Sequence, residues 1–156
     1  MRSVSGPGTV PISRLRDELR GEVIAPGDAG FDAARTVFPG SIDRRPAVIV
    51  RPVDAEEVST IVSLARDTDI ELAVRGGGHS GPGFGVCDAG IVLDLSAMKA
   101  LDIDADGRSA WAEAGLTAGE YTNAAGAHGR ATGFGDTASV GIGGVDHLAS
   151  EFVAEP

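Results

Sequence analysis

The fold is decided by residues 47–80, which read AVIVRPVDAEEVSTIVSLARDTDIELAVRGGGHS. Residues 47–51 form a short run rich in β-branched side chains that stops at Pro52, a pattern that predicts a buried strand. Residues 70–74 form a second run of the same kind. With the segment between them as a helix, residues 47–75 predict a β-α-β unit that delivers three successive glycines at the end of its second strand.

The segment between the two predicted strands carries the signals of an amphipathic helix. Asp54 is a favourable N-cap residue, and Glu57 follows three positions later, as in a capping box. Apolar residues recur at the helical spacing i, i+3, i+4 and i+7. This spacing predicts one buried face made of Val58, Ile61, Val62 and Ala65.

The glycine turn reads Arg75-Gly76-Gly77-Gly78-His79-Ser80 and has the composition of an anion-binding loop. Glycine reaches positive φ without steric cost, so successive N–H groups can converge on a phosphate. A plain tight turn with a surface histidine would use the same residues, and the six residues alone leave both interpretations open. The turn lacks the Lys-Ser/Thr pair of a Walker loop, which disfavours nucleoside triphosphate hydrolysis.

Further elements are expected on both sides of this unit. They are a helix at 13–20, an irregular or weakly helical arm at 25–42, a third strand at 91–95, and a hairpin of 101–104 with 110–114 around Asp106-Gly107. Thr117 and Glu120 predict a second capped helix that ends near Gly129. Its buried face is expected to contain Leu116, Tyr121, Ala124 and Ala125. Trp111 alternates with alanines in the hairpin, which favours core or edge packing over base stacking.

A second glycine-rich stretch, residues 133–144, reads GFGDTASVGIGG. Its first six residues fit the dinucleotide pattern G-x-G-x-x-G/A, which should follow a strand, open a helix and precede an acidic residue about 20 positions later. Residues 131–132 make a poor strand, and no helix is predicted after the motif. A nicotinamide-dinucleotide site is therefore a weaker alternative.

Composition limits the partners and the compartment. Thirteen Lys plus Arg against 23 Asp plus Glu give a net charge of −10, which disfavours nucleic acid. No stretch approaches the roughly 18 apolar residues of a membrane span. The N-terminal residues lack the apolar core of a signal peptide, and one cysteine allows no internal disulfide. These features predict a cytoplasmic protein.

Metal binding is disfavoured because His79, Cys87, His128 and His147 are scattered along the chain. Cys87 is expected to be a small, partly buried thiol without catalytic function. His128 is expected to complement the dipole of a nearby helix end. No function is predicted for His147.

Four segments in a fixed order resemble the N-terminal part of the berberine-bridge-enzyme-like FAD-dependent oxidoreductases, members of the vanillyl-alcohol-oxidase or PCMH-type flavoprotein superfamily. They are Asp43–Val50, Arg75–Ser80, Gly90–Ser96 and Ser139–Gly144. The similarity extends over roughly residues 13–144, and four motifs in order are far more specific than any one. The resemblance implies an α+β fold, a PCMH-type FAD-binding domain that is incomplete at its C-terminal end.

The resemblance also implies a cofactor, FAD, and the residues that bind it. The ring of His79 would be bonded to the 8α-methyl carbon of the flavin while the preceding turn holds the pyrophosphate, and residues 135–144 would lie against the cofactor from the other side. Some members add a bond through a cysteine, but Thr137 stands at that position here. The implied cofactor-binding residues are Arg75, Gly76, Gly77, Gly78, His79, Ser80, Gly135, Thr137, Ser139, Val140, Gly141 and Gly144.

Members of this family continue past the last motif with the rest of the flavin domain and a substrate domain, whereas this chain ends at Pro156. We therefore expect a truncated module of an enzyme that takes a hydride from an alcohol, amine or sugar and passes electrons to oxygen or another acceptor. The expected organisation is a disordered tail (1–12), the FAD-binding part (13–144) and an atypical tail (145–156) too poor in apolar residues to complete a sheet. The alternative is a non-catalytic remnant that holds no flavin and self-associates through exposed sheet edges.

Overall fold

The computed structural model describes residues 9–104 and 106–145, and the backbone of residues 153–154. The helices are α1 (Ile12–Glu18), α2 (Phe31–Arg35), α3 (Ala55–Thr68) and α4 (Ala118–Gly126). The strands are β1 (Glu22–Ile24), β2 (Val48–Arg51), β3 (Leu72–Arg75), β4 (Ile91–Asp94), β5 (Leu101–Asp104), β6 (Ser109–Ala112), β7 (Arg130–Ala131) and β8 (Val153–Ala154), with 3₁₀ turns at Leu95–Ala97 and Ile142–Gly144. Helices beside a mixed sheet confirm the expected α+β class.

The central sheet has the strand order β1-β2-β4-β3. Strands β2 and β3 both pair in parallel with β4, and β1 pairs antiparallel with β2. The predicted β-α-β unit is confirmed as β2-α3-β3, with β4 inserted between its two strands. Because β2, β4 and β3 run in the same direction, their carboxyl ends lie at one edge of the sheet.

Apolar side chains cover both faces of this sheet, which explains why its parallel strands are continuous hydrophobic runs. Alternate residues of one strand point to opposite faces. Val48 and Val50 therefore pack in a cluster with α1 and α3, whereas Ile49 packs in a second cluster with Phe31 of the 25–42 arm. The arm is weakly helical, as expected, and it buries the second face.

The first apolar cluster also corrects the expected N-terminal tail. Val10 is buried in that cluster, and α1 begins at Ile12, so the expectation of disorder over 1–12 is wrong for these residues. Residues 1–8 lie outside the described part of the chain.

Helix α3 begins where the sequence predicts, since the Asp54 side chain accepts the N–H of Glu57 at 3.0 Å. Glu57 itself is buried, and its carboxylate accepts the N–H groups of Val53 and Arg20. The predicted buried face is wrong for Val62, which is 43% exposed. The face centres on Ile61, and one residue turns a helix by about 100°, which carries Val62 out to solvent.

Helix α4 has the predicted capping box between Thr117 and Glu120, and Tyr121 and Ala125 are buried on its inner face. The hairpin β5-β6 also forms as predicted. Trp111, however, is 84% exposed on it, so the expectation of core packing is wrong. Alternate residues of a strand point to opposite faces, so the alanines on either side of Trp111 lie on the other face, and the residue directly across the hairpin is the charged Asp102.

The expected C-terminal tail is described only in part. Strand β8 pairs antiparallel with β7 in a two-stranded sheet separate from the central one, so the expectation that the tail is too poor in apolar residues to complete a sheet stays a prediction. Residues 146–152 and 155–156, including His147, lie outside the described part of the chain. Within that part, no helix combines the length and the apolar character needed to cross a bilayer.

Candidate functional site

The glycine turn leaves the sheet at the carboxyl end of β3, which is an edge strand of the sheet. Carboxyl ends of parallel strands are where open α/β sheets bind ligands. Residues 76–80 form one wall of a cleft of about 460 Å³ at this position. The cleft is lined by Val74, Arg75, Gly76, Gly77, Gly78, His79, Ser80, Phe84, Gly85, Val140, Gly141 and Gly144.

A buried ion network holds the base of the turn. Arg75 is 6% exposed, and its Nη2 donates to Asp94 Oδ2 at 2.8 Å and to the carbonyl of Ala34 at 2.7 Å. Arg51 Nε donates to the same Asp94 oxygen at 2.9 Å. Burial raises the pKa of Asp94, but the charge of Arg75 and the hydrogen bonds outweigh it and hold the pKa below the usual range. The carboxylate therefore stays ionised and ties the ends of β2, β3 and β4 together.

The backbone of the turn carries donors that no described hydrogen bond uses. Gly78 has φ +73°, a left-handed conformation that favours glycine, and its carbonyl accepts the N–H of Phe38 at 3.0 Å. Among the described hydrogen bonds, none is donated by the N–H groups of Gly77, Gly78, His79 or Ser80. Arg75 Nη1 is likewise buried without a partner in the described part of the chain. These donors lie on residues that line the cleft and have no partner among the described hydrogen bonds.

The structure brings the two glycine-rich regions into backbone contact. A Cβ on Gly77 would lie 2.2 Å from the Gly141 nitrogen and 2.8 Å from the Ser139 carbonyl oxygen. A Cβ on Gly141 would lie 2.2 Å from the Gly77 nitrogen. Neither position has room for a side chain, so glycine at both positions sets the width of the cleft.

Residues 138–142 are held in place by the start of α4. Ala118 N–H donates to the Val140 carbonyl at 2.8 Å, and Gly119 N–H donates to the Ala138 carbonyl at 2.9 Å. The first N–H groups of a helix have no partner within it, and here two of them anchor this segment. The capped end of α4 thus positions one wall of the cleft.

His79, in the wall formed by residues 76–80, contacts side chains from two other segments. Its ring stacks on Phe38 with centroids 4.2 Å apart and an interplanar angle of 20°. Its Nε2 lies 2.9 Å from Ser139 Oγ. The predicted residue Ser139 therefore touches the predicted anchor directly, through its hydroxyl group.

Two predicted residues lie elsewhere. Gly135 and Thr137 line a separate cleft of about 390 Å³ against α4, with Asn123 and Phe134 among its other lining residues. The other ten predicted residues lie along the first cleft or, as Ser139 does, hydrogen-bond to a residue of its lining.

Sequence reasoning missed three residues of the site. Asp94 ends an otherwise apolar strand, and a charge in that position is the signal that could have identified it. Phe38 and Phe84 are exposed aromatic residues in irregular segments, where no periodicity marks them.

The alternative chemistries find little support. After Gly133, the described residues up to 145 contain a 3₁₀ turn and no α-helix, so the helix that a dinucleotide motif requires is missing there. The described residues also contain no cluster of potential metal ligands. Cys87 is fully buried where partial burial was expected, and burial with the nearby charge of Glu71 raises the pKa of its thiol to about 11, which favours the protonated form at neutral pH.

Comparison with known proteins agrees with the resemblance in the sequence. The family model described as FAD binding domain matches residues 46–145. The chain is 38% identical over 140 residues to (R)-6-hydroxynicotine oxidase of Paenarthrobacter nicotinovorans, covering 86% of this chain and 31% of that protein. It is 33% identical over 104 residues to berberine bridge enzyme-like 18 of Arabidopsis thaliana, and the match covers 64% of this chain and 20% of that protein.

A solved structure supports the fold. The crystal structure of 6-hydroxy-D-nicotine oxidase from Arthrobacter nicotinovorans matches 80% of this chain, and 27% of its own, with a TM-score of 0.77 at 38% identity. The chain thus spans about a third or less of the length of these relatives. The predicted PCMH-type fold is confirmed. The chain belongs to the FAD-binding domain family of the FAD-linked oxidoreductases.

Proposed function

We propose that the cleft between residues 76–80 and 139–144 holds the pyrophosphate of FAD, and that the chain is the FAD-binding part of an oxidoreductase acting on a small molecule. The observation that carries this proposal is the row of N–H groups from Gly77 to Ser80 that donate none of the described hydrogen bonds, on a cleft-lining turn that contacts Gly141. Consecutive backbone N–H groups on a glycine turn form an anion-binding nest.

The residues of the cleft fit such a group. Arg75 Nη1 is a buried, charged donor without a described partner, and a phosphate oxygen would satisfy it. The whole chain has a net charge of −10, so attraction of a pyrophosphate must come from these local donors. The volume of the cleft lies within the 300–1,000 Å³ typical of ligand pockets.

In the complete enzyme, bound FAD would supply hydride-acceptor chemistry toward an alcohol, amine or sugar, with oxygen or another acceptor as the final oxidant. The residues of this chain bind and orient the cofactor. The turn fixes the pyrophosphate, and the close contact of Gly77 with Gly141 sets the opening available to the cofactor. Such positioning lowers the barrier of a transfer step because the reacting groups are already aligned.

His79 is proposed as the covalent anchor. His79 would exchange its ring N–H for a bond to the 8α-methyl carbon. The ring N–H and one methyl C–H would be replaced by the new N–C bond, and the two hydrogens released, with two electrons, would reduce molecular oxygen to hydrogen peroxide. The support is the resemblance of residues 75–80 to the family motif and the position of His79 at the cleft.

The test is a titration of the 156-residue chain with FAD, followed by acid precipitation and measurement of flavin in the pellet. We expect flavin fluorescence to be quenched on binding, and flavin to remain with the acid-precipitated chain. His79→Ala should release all flavin into the acid supernatant, whereas the matched control His128→Ala, an exposed site beyond α4, should not.

Two outcomes would overturn the proposal. A folded chain, by circular dichroism, that leaves FAD fluorescence unchanged contradicts the binding function. A colourless oligomer of defined size in light scattering would then favour the edge-pairing alternative. If His79→Ala retains flavin after acid precipitation, only the assignment of His79 as the covalent anchor is contradicted, and the binding function stands.

A further inference from the structure

Two side chains hold the imidazole of His79 from different directions. The ring of Phe38 covers one face, with centroids 4.2 Å apart and planes 20° from parallel. The Ser139 hydroxyl lies 2.9 Å from Nε2 at the ring edge. A stack restrains the ring plane, and a hydrogen bond restrains its rotation within that plane. Together they leave the imidazole one orientation.

Phe38 is itself fixed, although its side chain is 70% exposed. Its N–H donates to the carbonyl of Gly78, the residue before the histidine, at 3.0 Å. The preceding residue, Val37, is buried in the apolar cluster under the arm. The backbone of the arm on both sides of the Phe38 side chain is therefore anchored beside the turn that carries His79.

Ser139 is fixed from the other wall of the cleft. The next residue, Val140, accepts the N–H of Ala118 at the start of α4. The Ser139 carbonyl oxygen lies against Gly77, only 2.8 Å from where a Cβ would stand. The hydroxyl is thus held at a constant distance from the turn that carries His79.

We infer that Phe38 and Ser139 are positioning residues for His79: together they set its ring orientation, and the Ser139 oxygen accepts the hydrogen of Nε2, which leaves the lone pair on Nδ1. This inference rests on the proposed function, because it concerns the preparation of the anchor for flavin. A neutral imidazole carries its hydrogen on one nitrogen, and only the other nitrogen presents a lone pair. A protein that fixes the tautomer therefore fixes which nitrogen can bond to carbon.

The first test needs no flavin. The ratio of the Nε2–H tautomer to the Nδ1–H tautomer of His79 is measured from ¹⁵N chemical shifts of the histidine side chains in the 156-residue chain. The His79 signals are assigned with His79→Ala. Loss of a hydrogen bond worth about 1 kcal/mol changes an equilibrium about fivefold. We expect Ser139→Ala to reduce the tautomer ratio by about that factor, Ser139→Thr to restore most of it, and the control Ser59→Ala, on the exposed face of α3, to leave it unchanged.

The second test is the rate at which flavin becomes acid-stable in the presence of saturating FAD. Phe38→Leu keeps an apolar side chain but removes the stacked ring, and Phe38→Tyr keeps the ring. We expect Phe38→Leu and Ser139→Ala each to slow attachment about tenfold at saturating FAD, a condition under which a change in FAD affinity does not limit the rate. Phe38→Tyr and the control Trp111→Leu should attach flavin at the wild-type rate.

The two tests separate this inference from the proposed function. A tautomer ratio that is the same in Ser139→Ala as in the wild-type chain overturns the role of Ser139, whether or not FAD binds. Attachment at the wild-type rate in Phe38→Leu overturns the role of Phe38. If the wild-type chain binds no FAD, the proposed function fails, and the ¹⁵N measurement still decides whether Ser139 positions His79.

Discussion

Two regions of this molecule, the glycine turn at residues 76–80 and the first half of the second glycine-rich stretch at residues 133–138, are both rich in glycine and have different physical demands. In the first, residues 76–80, Gly77 is enforced by backbone contact, since a Cβ would lie 2.2 Å from a neighbouring nitrogen. In the second, residues 133–138, Gly133 has open space where a Cβ would stand. Glycine content marks both as loops, but only close approach of another backbone distinguishes the one that shapes the cleft.

The two regions are also supported by different forces. The first lies above the ion network of Arg75, Asp94 and Arg51. The second is supported by neutral contacts, a 3.4 Å hydrogen bond between the hydroxyls of Thr132 and Tyr121 and an edge-to-face contact between Tyr121 and Phe134. A defect in a buried charge network costs more than a defect in a neutral contact, so the first region should be the more sensitive to substitution.

The largest effect is expected for Asp94→Asn, because it leaves Arg75 buried without its carboxylate partner. Removing one member of a buried ion pair costs about 3–5 kcal/mol. We expect the free energy of unfolding, from urea denaturation, to fall by an amount in that range and FAD binding to weaken with it. In the control Asp67→Asn, the lost pair with Arg66 is exposed to solvent, and stability should not change measurably.

The same residue predicts a pH dependence. The pKa of Asp94 in the folded chain lies below its ordinary value of 3.8, so the folded state favours the ionised carboxylate. Its contribution to stability is present above that ordinary value and is lost as the pH falls through the depressed folded pKa. The wild-type chain should therefore lose stability below about pH 4 more steeply than Asp94→Asn. If the wild-type chain and Asp94→Asn lost stability equally steeply as the pH falls, Asp94 would not be the source of this pH dependence.

A smaller effect is expected for Gly77→Ala. The added methyl group must displace the backbone of Ser139 and Gly141, and overpacking of this kind costs about 1–3 kcal/mol. Displacement also widens the cleft, so the FAD dissociation constant should rise at least tenfold. Gly133→Ala is the matched control, because its Cβ meets nothing and a compatible alanine stabilises a loop by at most about 1 kcal/mol. If Gly77→Ala and Gly133→Ala lowered stability and FAD affinity equally, the distinction between the two regions would be wrong.

Much of the first region could be predicted from the sequence because its signals are local. The apolar runs at 47–51 and 91–95 and the cap at Asp54 specify strands and a helix through side-chain periodicity and one hydrogen bond. The turn follows from its three glycines. The contact between Gly77 and Gly141 joins residues 64 positions apart, and only the order of family motifs pointed to it.

What the sequence did not predict depends on tertiary packing. Trp111 and Val62 are apolar yet exposed, because the face that each presents has no element packed on it. Phe38 lies in an arm without periodicity, and its stack on His79 arises from the way the arm crosses the turn. The family resemblance implied a cofactor contact for Gly135 and Thr137, but these two residues line a separate cleft against α4, which the chain follows before it reaches Ser139.

The smallest effect is expected in the second region, for Tyr121→Phe. The substitution removes the hydroxyl that meets Thr132 Oγ1 and keeps the ring that contacts Phe134. A neutral hydrogen bond contributes about 0.5–1.5 kcal/mol, and a separation of 3.4 Å places this one at the low end. We expect the free energy of unfolding to fall by about 0.5 kcal/mol in urea denaturation, with FAD affinity unchanged because the first cleft is untouched. A loss of FAD affinity as large as that of Gly77→Ala would mean that the second region also holds the cofactor, as the resemblance implied for Gly135 and Thr137.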